Sequence, residues 1–144
     1  KIINNKLYQL PLKELETLRK DLIENKVALD SNDVLNIIDR NTFELRVDLE
    51  ECSKFNMKFR EDCVLSFVEG VFKLTQGKSG YGRNERAAYI SNLRSIDIFS
   101  DNSSIEIFIN DGEEVFTSRV YNDMLDTNVI LEGEGTAIIR KWNI

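Results

Sequence analysis

The side chains able to carry chemistry in this 144-residue chain are marked by one omission: it has 25 Asp and Glu residues, two cysteines and no histidine. Histidine is the usual general base near neutral pH and the commonest metal ligand. Without it, Ser-His-Asp and Cys-His nucleophile systems are excluded. Cys52 and Cys63 cannot complete a four-ligand zinc site unless carboxylates supply the rest. A disulfide between them requires the strands holding them to pair, and two buried thiols are the expectation. What remains is carboxylate chemistry, of which the glycosidase pair is the natural example. Carboxylates are plentiful here, but no spacing singles out a pair, and a charged residue on a strand is ordinarily its wet face.

The local motifs add little. Gly77-Lys78-Ser79 ends like a phosphate-binding loop, but that motif needs a glycine five positions before the Gly-Lys pair, where Phe72 stands. Gly80-Tyr81-Gly82 follows where a helix should begin, so the segment reads as a flexible loop. Asn102-Ser103-Ser104 is a glycosylation sequon that would be inert in a cytosolic protein. The expectation is therefore no catalytic, cofactor-binding or metal-ligating residue, and no cofactor.

The elements that would position any site follow from periodicity. Leu7 to Leu10 reads as a short strand leading into Pro11, and a proline suits the first turn of a helix. Leu12, Leu15, Leu18 and Leu22 recur at helical steps, predicting an amphipathic helix over Pro11–Glu24 that Asn25 ends. Beyond it the period changes to two. Strands are predicted over Lys26–Asp30, Phe43–Leu49, Lys54–Arg60, Cys63–Val68, Val71–Gln76, Arg86–Ile90, Arg94–Ser100, Ile105–Ile109, Glu114–Tyr121, Val129–Leu131 and Ala137–Trp142. Glu69-Gly70 between two of these marks a tight hairpin. Many short strands with frequent turns, and a single proline in the chain, predict an all-β fold: a two-layer antiparallel β-sandwich with one short N-terminal helix.

One register can be worked out. If Asp101–Ser104 turns the chain, Ser100 faces Ile105, Ile98 faces Ile107 and Ile96 faces Ile109, so the isoleucines share the core face. Asp97, Phe99, Glu106 and Phe108 share the other. Two phenylalanines there either shield an edge or form a surface covered by another domain or subunit. Around Asp111-Gly112 the sequence does not decide between a two- and a three-residue turn.

A net charge of −6 argues against a nucleic-acid or anionic-membrane surface. No apolar run approaches membrane-spanning length, and cytoplasmic localisation is the expectation. The chain opens on Lys1 rather than Met, so its start reads as a cut that leaves upstream targeting information out.

The run Asp101 to Tyr121, with its alternating isoleucines and Asp111-Gly112 turn, closely resembles the signature of the C-terminal β-sandwich domain of glycoside hydrolase family 32. Lys6-Leu7-Tyr8-Gln9-Leu10-Pro11, with Glu14-Leu15 and Leu18-Arg19, is similar to the segment joining that family's catalytic propeller to its sandwich. Gly80-Tyr81-Gly82-Arg83 with Arg86 is similar to the loop before the signature in bacterial sucrose-6-phosphate hydrolases. Asn122 departs from the proline common there. The resemblance implies residues 1–24 as the linker strand and helix from an absent catalytic propeller, and 25–144 as the sandwich. It implies a parent β-fructofuranosidase whose propeller carries the catalytic carboxylates. Glu51-Cys52 matches the acid/base dipeptide of that propeller without its flanking residues, and Asn32-Asp33 and Asn110-Asp111 lack the proline its nucleophile motif requires, so no catalytic residue carries over. The implied role is to stabilise the propeller, the implied partner, and to contribute to homodimer contacts. The alternative is a lectin-like carbohydrate-binding module. Its candidate platforms are Trp142, Tyr81 and Tyr89, although Trp142 in its Ile-rich strand is expected to pack in the core.

Overall fold

The computed structural model describes residues 2–3, 6–7, 13–78, 85–121 and 125–144. Strands β1 (Ile2–Ile3) and β2 (Lys6–Leu7) pair with each other. A 3-10 helix over Lys13–Leu18 follows. Then come β3 (Lys20–Ala28), a 3-10 turn over Leu29–Ser31, β4 (Val34–Asn36) and the long β5 (Phe43–Phe59). After these run β6 (Cys63–Val68), β7 (Val71–Thr75), β8 (Glu85–Tyr89), β9 (Ser95–Ser100), β10 (Ser104–Ile109), β11 (Glu114–Arg119) and β12 (Asn128–Asn143).

The two longest strands organise everything else. Along its first half β5 pairs with β9 on one side and with the end of β12 on the other. Along its second half it pairs with β6 and with the start of β12. Two layers result: β11-β10-β9-β5-β12-β3 and β8-β7-β6-β5-β12-β4, every described pairing in them antiparallel. Between them lies an apolar core of Phe43, Leu45, Val47, Ile96, Ile98 and Ile107 from the first layer and Phe55, Met57, Phe59, Leu65, Phe72 and Leu131 from the second. Phe72 and Phe116 meet across the layers with ring centroids 5.8 Å apart. Along that edge the Ser118 hydroxyl donates to Gln76 at 2.7 Å, and Gln76 donates to the Arg119 carbonyl at 3.1 Å.

The crease shared by the layers is written in backbone geometry. Glu51 has φ of 52°, Gly133 of 146° and Gly135 of 115°, and the pairing shifts register between Glu134 and Thr136. A Cβ on Gly133 would lie 2.2 Å from the Lys54 carbonyl oxygen, and one on Gly135 2.6 Å from that of Glu51. Only glycine allows such an approach.

Several expectations change here. The predicted Pro11–Glu24 helix is, among the described residues, only the 3-10 segment Lys13–Leu18, and Lys20–Glu24 is strand. Of the leucine stripe, Leu18 and Leu22 remain half exposed. Asp21 takes a positive φ of 55°, which ends helical geometry, and pairing with β12 overrides a weak local propensity. Phe43–Leu49 and Lys54–Arg60 are one strand, as are Val129–Leu131 and Ala137–Trp142, because the polar residues between them form the crease and not a loop. The expected strand over Leu7–Leu10 is Lys6–Leu7 where described; the rest lies outside the described residues.

The isoleucine register is as derived: Ser100 opposite Ile105, Ile98 opposite Ile107, Ile96 opposite Ile109. Glu69 and Gly70 form a two-residue turn with both φ values positive. The turn at Asp111-Gly112 instead spans Asn110–Glu113, because Ile109 pairs with Glu114. The Asn110 side chain explains the extra length. Its oxygen accepts from the Arg94 and Ser95 amides at 2.7 and 3.2 Å, and its amide donates to the Asn92 carbonyl at 2.6 Å. Cys63 is buried and Cys52 half buried, as separate thiols.

Candidate functional site

The outer face of the first layer carries the densest charge network among the described residues. Strand alternation puts Asp97 and Phe99 of β9, Glu44, Arg46 and Asp48 of β5, and Arg140 and Trp142 of β12 on this face, opposite the apolar one. Arg19, just before β3, lies across it. Its guanidinium donates to both Glu44 carboxylate oxygens, at 2.7 and 2.9 Å, and sits 4.1 Å from the centre of the Trp142 ring. Such a paired fork is the strongest ion-pair geometry proteins use, and it leaves Glu44 wholly buried. The hydrogen bond to Glu44, foremost, raises the Arg19 pKa above its ordinary value.

Asp97 is buried beside Glu44, with Arg46 3.7 Å away. Burial first, then its hydrogen bond to Glu44 and that group's charge, push its carboxyl up to about 8, against the pull of Arg46 and Arg19. Its Oδ1 has no hydrogen-bond donor among the described residues. Arg46 also pairs with Asp48 at 3.1 Å and Asp111 at 3.2 Å, and Arg140 joins Asp48 at 2.9 Å to Glu24 at 2.8 Å.

The arrangement has little room for chemistry on a substrate. A glycosidase pair stands about 5–9.5 Å apart with the scissile bond between; here Glu44 is wholly buried with both oxygens on Arg19, and Asp97 is buried as well. No group of three or more His, Cys, Asp or Glu side chains able to hold a metal occurs among the described residues. Trp142, expected in the core, is on the outer face under Arg19, because its neighbour Lys141 takes the inward position on β12. Phe99 and Phe108 pack edge to face with centroids 5.9 Å apart, Phe108 buried and Phe99 half buried. Beside them Phe99, Glu106, Thr117, Leu18 and Ile144 line a groove of about 390 Å³. On the second layer Lys54, Asn56, Ser66, Val68 and Glu132 line a smaller one of about 290 Å³. Tyr89, on the edge strand β8, is 87% exposed; Tyr81 lies outside the described residues. Burial alone pushes the Cys52 thiol to about 11, which keeps it protonated and unreactive at neutral pH. The burial of Asp97 and Glu44 was not legible beforehand, since they come from separate strands and no spacing marks them.

The fold and this closed face define a β-sandwich domain built around a charge-braced sheet. Residues 14–143 match the family model described as glycosyl hydrolases family 32 C terminal. The chain belongs to that family. It is 30% identical over 139 residues to a probable sucrose-6-phosphate hydrolase of Psychromonas ingrahamii, an alignment covering 91% of this chain and 25% of the relative. It thus spans about a quarter of the length of that relative. Among solved structures, sucrose-6-phosphate hydrolase from Lactobacillus gasseri superposes with a TM-score of 0.82 at 22% identity, covering all of this chain and 32% of that one. The galectin LEC-6 of Caenorhabditis elegans shares the fold more loosely, with a TM-score of 0.58 at 16% identity over 82% of this chain and 94% of its own.

Proposed function

We propose that this chain is the non-catalytic C-terminal sandwich of a cytoplasmic sucrose-6-phosphate hydrolase or related β-fructofuranosidase, where it braces an N-terminal catalytic propeller and contributes to subunit contacts. The observation that carries the reading is the family match over nearly the whole chain, joined to a quarter-length overlap with a full-length relative named for that activity. The burial of the Asp97 and Glu44 carboxyls supports a structural role, because a substrate cannot reach them. The half-buried Phe99 beside the larger groove supports contact with a further surface.

The test is direct. The purified 144-residue chain should release no fructose from sucrose or sucrose-6-phosphate at any pH, whereas a chain extended by the upstream reading frame should. Turnover by the 144-residue chain that a carboxylate substitution within it abolishes would overturn the reading. Sugar binding is the second reading, favoured by the exposed Tyr89 and the likeness to a galectin fold. It requires a saturable thermal shift with fructose or sucrose, lost in Tyr89→Ala.

A further inference from the structure

We propose that the smaller groove, on the outer face of the second layer, is a binding site for a neutral oligosaccharide. Asn32, Asn56, Ser66 and Glu132 meet its hydroxyls, and a shelf formed by Val68, Val71 and Tyr89 carries the apolar faces of its rings. This gives the sugar-binding reading a place on the molecule. The sugar class, a fructo-oligosaccharide, rests on the reading of the parent as a β-fructofuranosidase.

Strand register builds the site. Asn56 stands opposite Glu132 on one side and Ser66 on the other, so three polar side chains form a row across β12, β5 and β6. Two residues along, Lys54 is opposite Val68, Val68 opposite Val71, and Val71 opposite Tyr89. With strands about 4.8 Å apart, that second row runs about 14 Å to the edge strand β8, long enough for more than one sugar ring. Leu65, Phe67 and Phe72 take the alternate, inward positions, which turns both rows to the outside.

The polar groups of the two outer faces are in opposite states. On the first layer they close on one another, Arg19 on Glu44 and both Arg46 and Arg140 on Asp48. In the smaller groove the side chains of Asn32, Asn56, Ser66 and Glu132 have no hydrogen bond or ion pair among the described residues. Two amides and a hydroxyl both donate and accept, and the carboxylate accepts. Sugar hydroxyls need that mixture. Charge selects a neutral sugar over a phosphorylated one, because Glu132 is an anion in the groove and Lys54, the basic residue in its lining, has Glu134 4.0 Å away. Tyr89, 87% exposed at the end of the shelf, offers a ring face to sugar C–H groups. A few polar groups beside apolar walls is the usual make-up of a small-molecule site. A protein partner would instead need a wide centre depleted in charge.

The experiment titrates the nitrogen-15-labelled 144-residue chain with an inulin-derived tetrasaccharide to about 20 mM, above the millimolar Kd that an open, hydrated groove supports. Saturable shifts at Asn56, Ser66, Glu132 and Tyr89 are expected. Losing one hydrogen bond or the ring contact should weaken Kd about fivefold or more in Asn56→Ala and in Tyr89→Ala. The shift map of the unaltered chain decides the matter even if a variant does not fold. No saturable shift, shifts centred on the first layer, an unchanged Kd in the folded variants, or tighter binding of sucrose-6-phosphate than of the tetrasaccharide would each overturn the site. So would concentration-dependent broadening of the same amides without sugar, the mark of a protein contact. The parent reading has its own readout, sucrose turnover by the extended chain, so a silent groove with that turnover intact overturns the site alone.

Discussion

Asp97 ties burial to acidity at the scale of a single residue. An acid whose folded pKa lies above its unfolded value stabilises the fold while protonated, and that stability is fully present below the unfolded pKa. For Asp97 the window runs from 3.8, the ordinary value, to about 8. Across it, rising pH costs up to about 1.4 kcal/mol per unit from this residue. Asp97→Asn removes that slope, so urea denaturation should find the variant gaining on the wild type as pH rises from 5 to 8. An unchanged difference between the two would contradict the assignment. Arg19→Ala should act in the opposite sense, leaving Glu44 buried without its partner at a cost of about 3–5 kcal/mol. None of this was legible in the sequence. Arg19 stood out only as part of the Leu18-Arg19 pair in the linker resemblance, and a charged strand residue such as Glu44 or Asp97 read as an ordinary wet-face carboxylate.

The elements were legible where the period was clean. Ile96, Ile98, Ile105, Ile107 and Ile109 dictated their own register, since a slip of one residue would expose all of them. The stretch at Leu12–Leu22 misled because its leucine spacing has helical period while its partner, β12, is far away in sequence; long-range pairing leaves no local mark. The crease was missed for a related reason. Gly133 and Gly135 resemble loop glycines, yet they sit inside a strand because the Lys54 and Glu51 carbonyls press against them. Gly133→Ala should therefore cost about 3 kcal/mol or more, as a positive φ and a backbone clash combine. Gly70→Ala, with nothing nearer than 3.6 Å, should cost only its turn strain. Equilibrium unfolding of the two variants gives the comparison, and equal losses would dismiss the crease as the reason for these glycines.

At the scale of the whole molecule, a core shared by both layers makes the sandwich one cooperative unit. Phe72 is fully buried and touches Phe116 across the layers, so Phe72→Ala should cost about 3–5 kcal/mol. Phe99→Ala, half exposed in this chain, should cost much less there. In a chain extended with its N-terminal domain the Phe99 loss should grow, if that surface is covered as proposed; matching losses in both contexts would leave Phe99 as edge shielding.

The placement of β12 carries a consequence for how the protein is made. Both layers have β12 in their interior, paired to β5 along nearly its whole length, and ribosomes make it after every strand it joins. A nascent chain that has not yet extruded Asn128–Asn143 holds two half-sheets, each with an open edge where its middle should be. Closure must await the last element, and until then those edges are exposed to chaperones, proteases and neighbouring nascent chains.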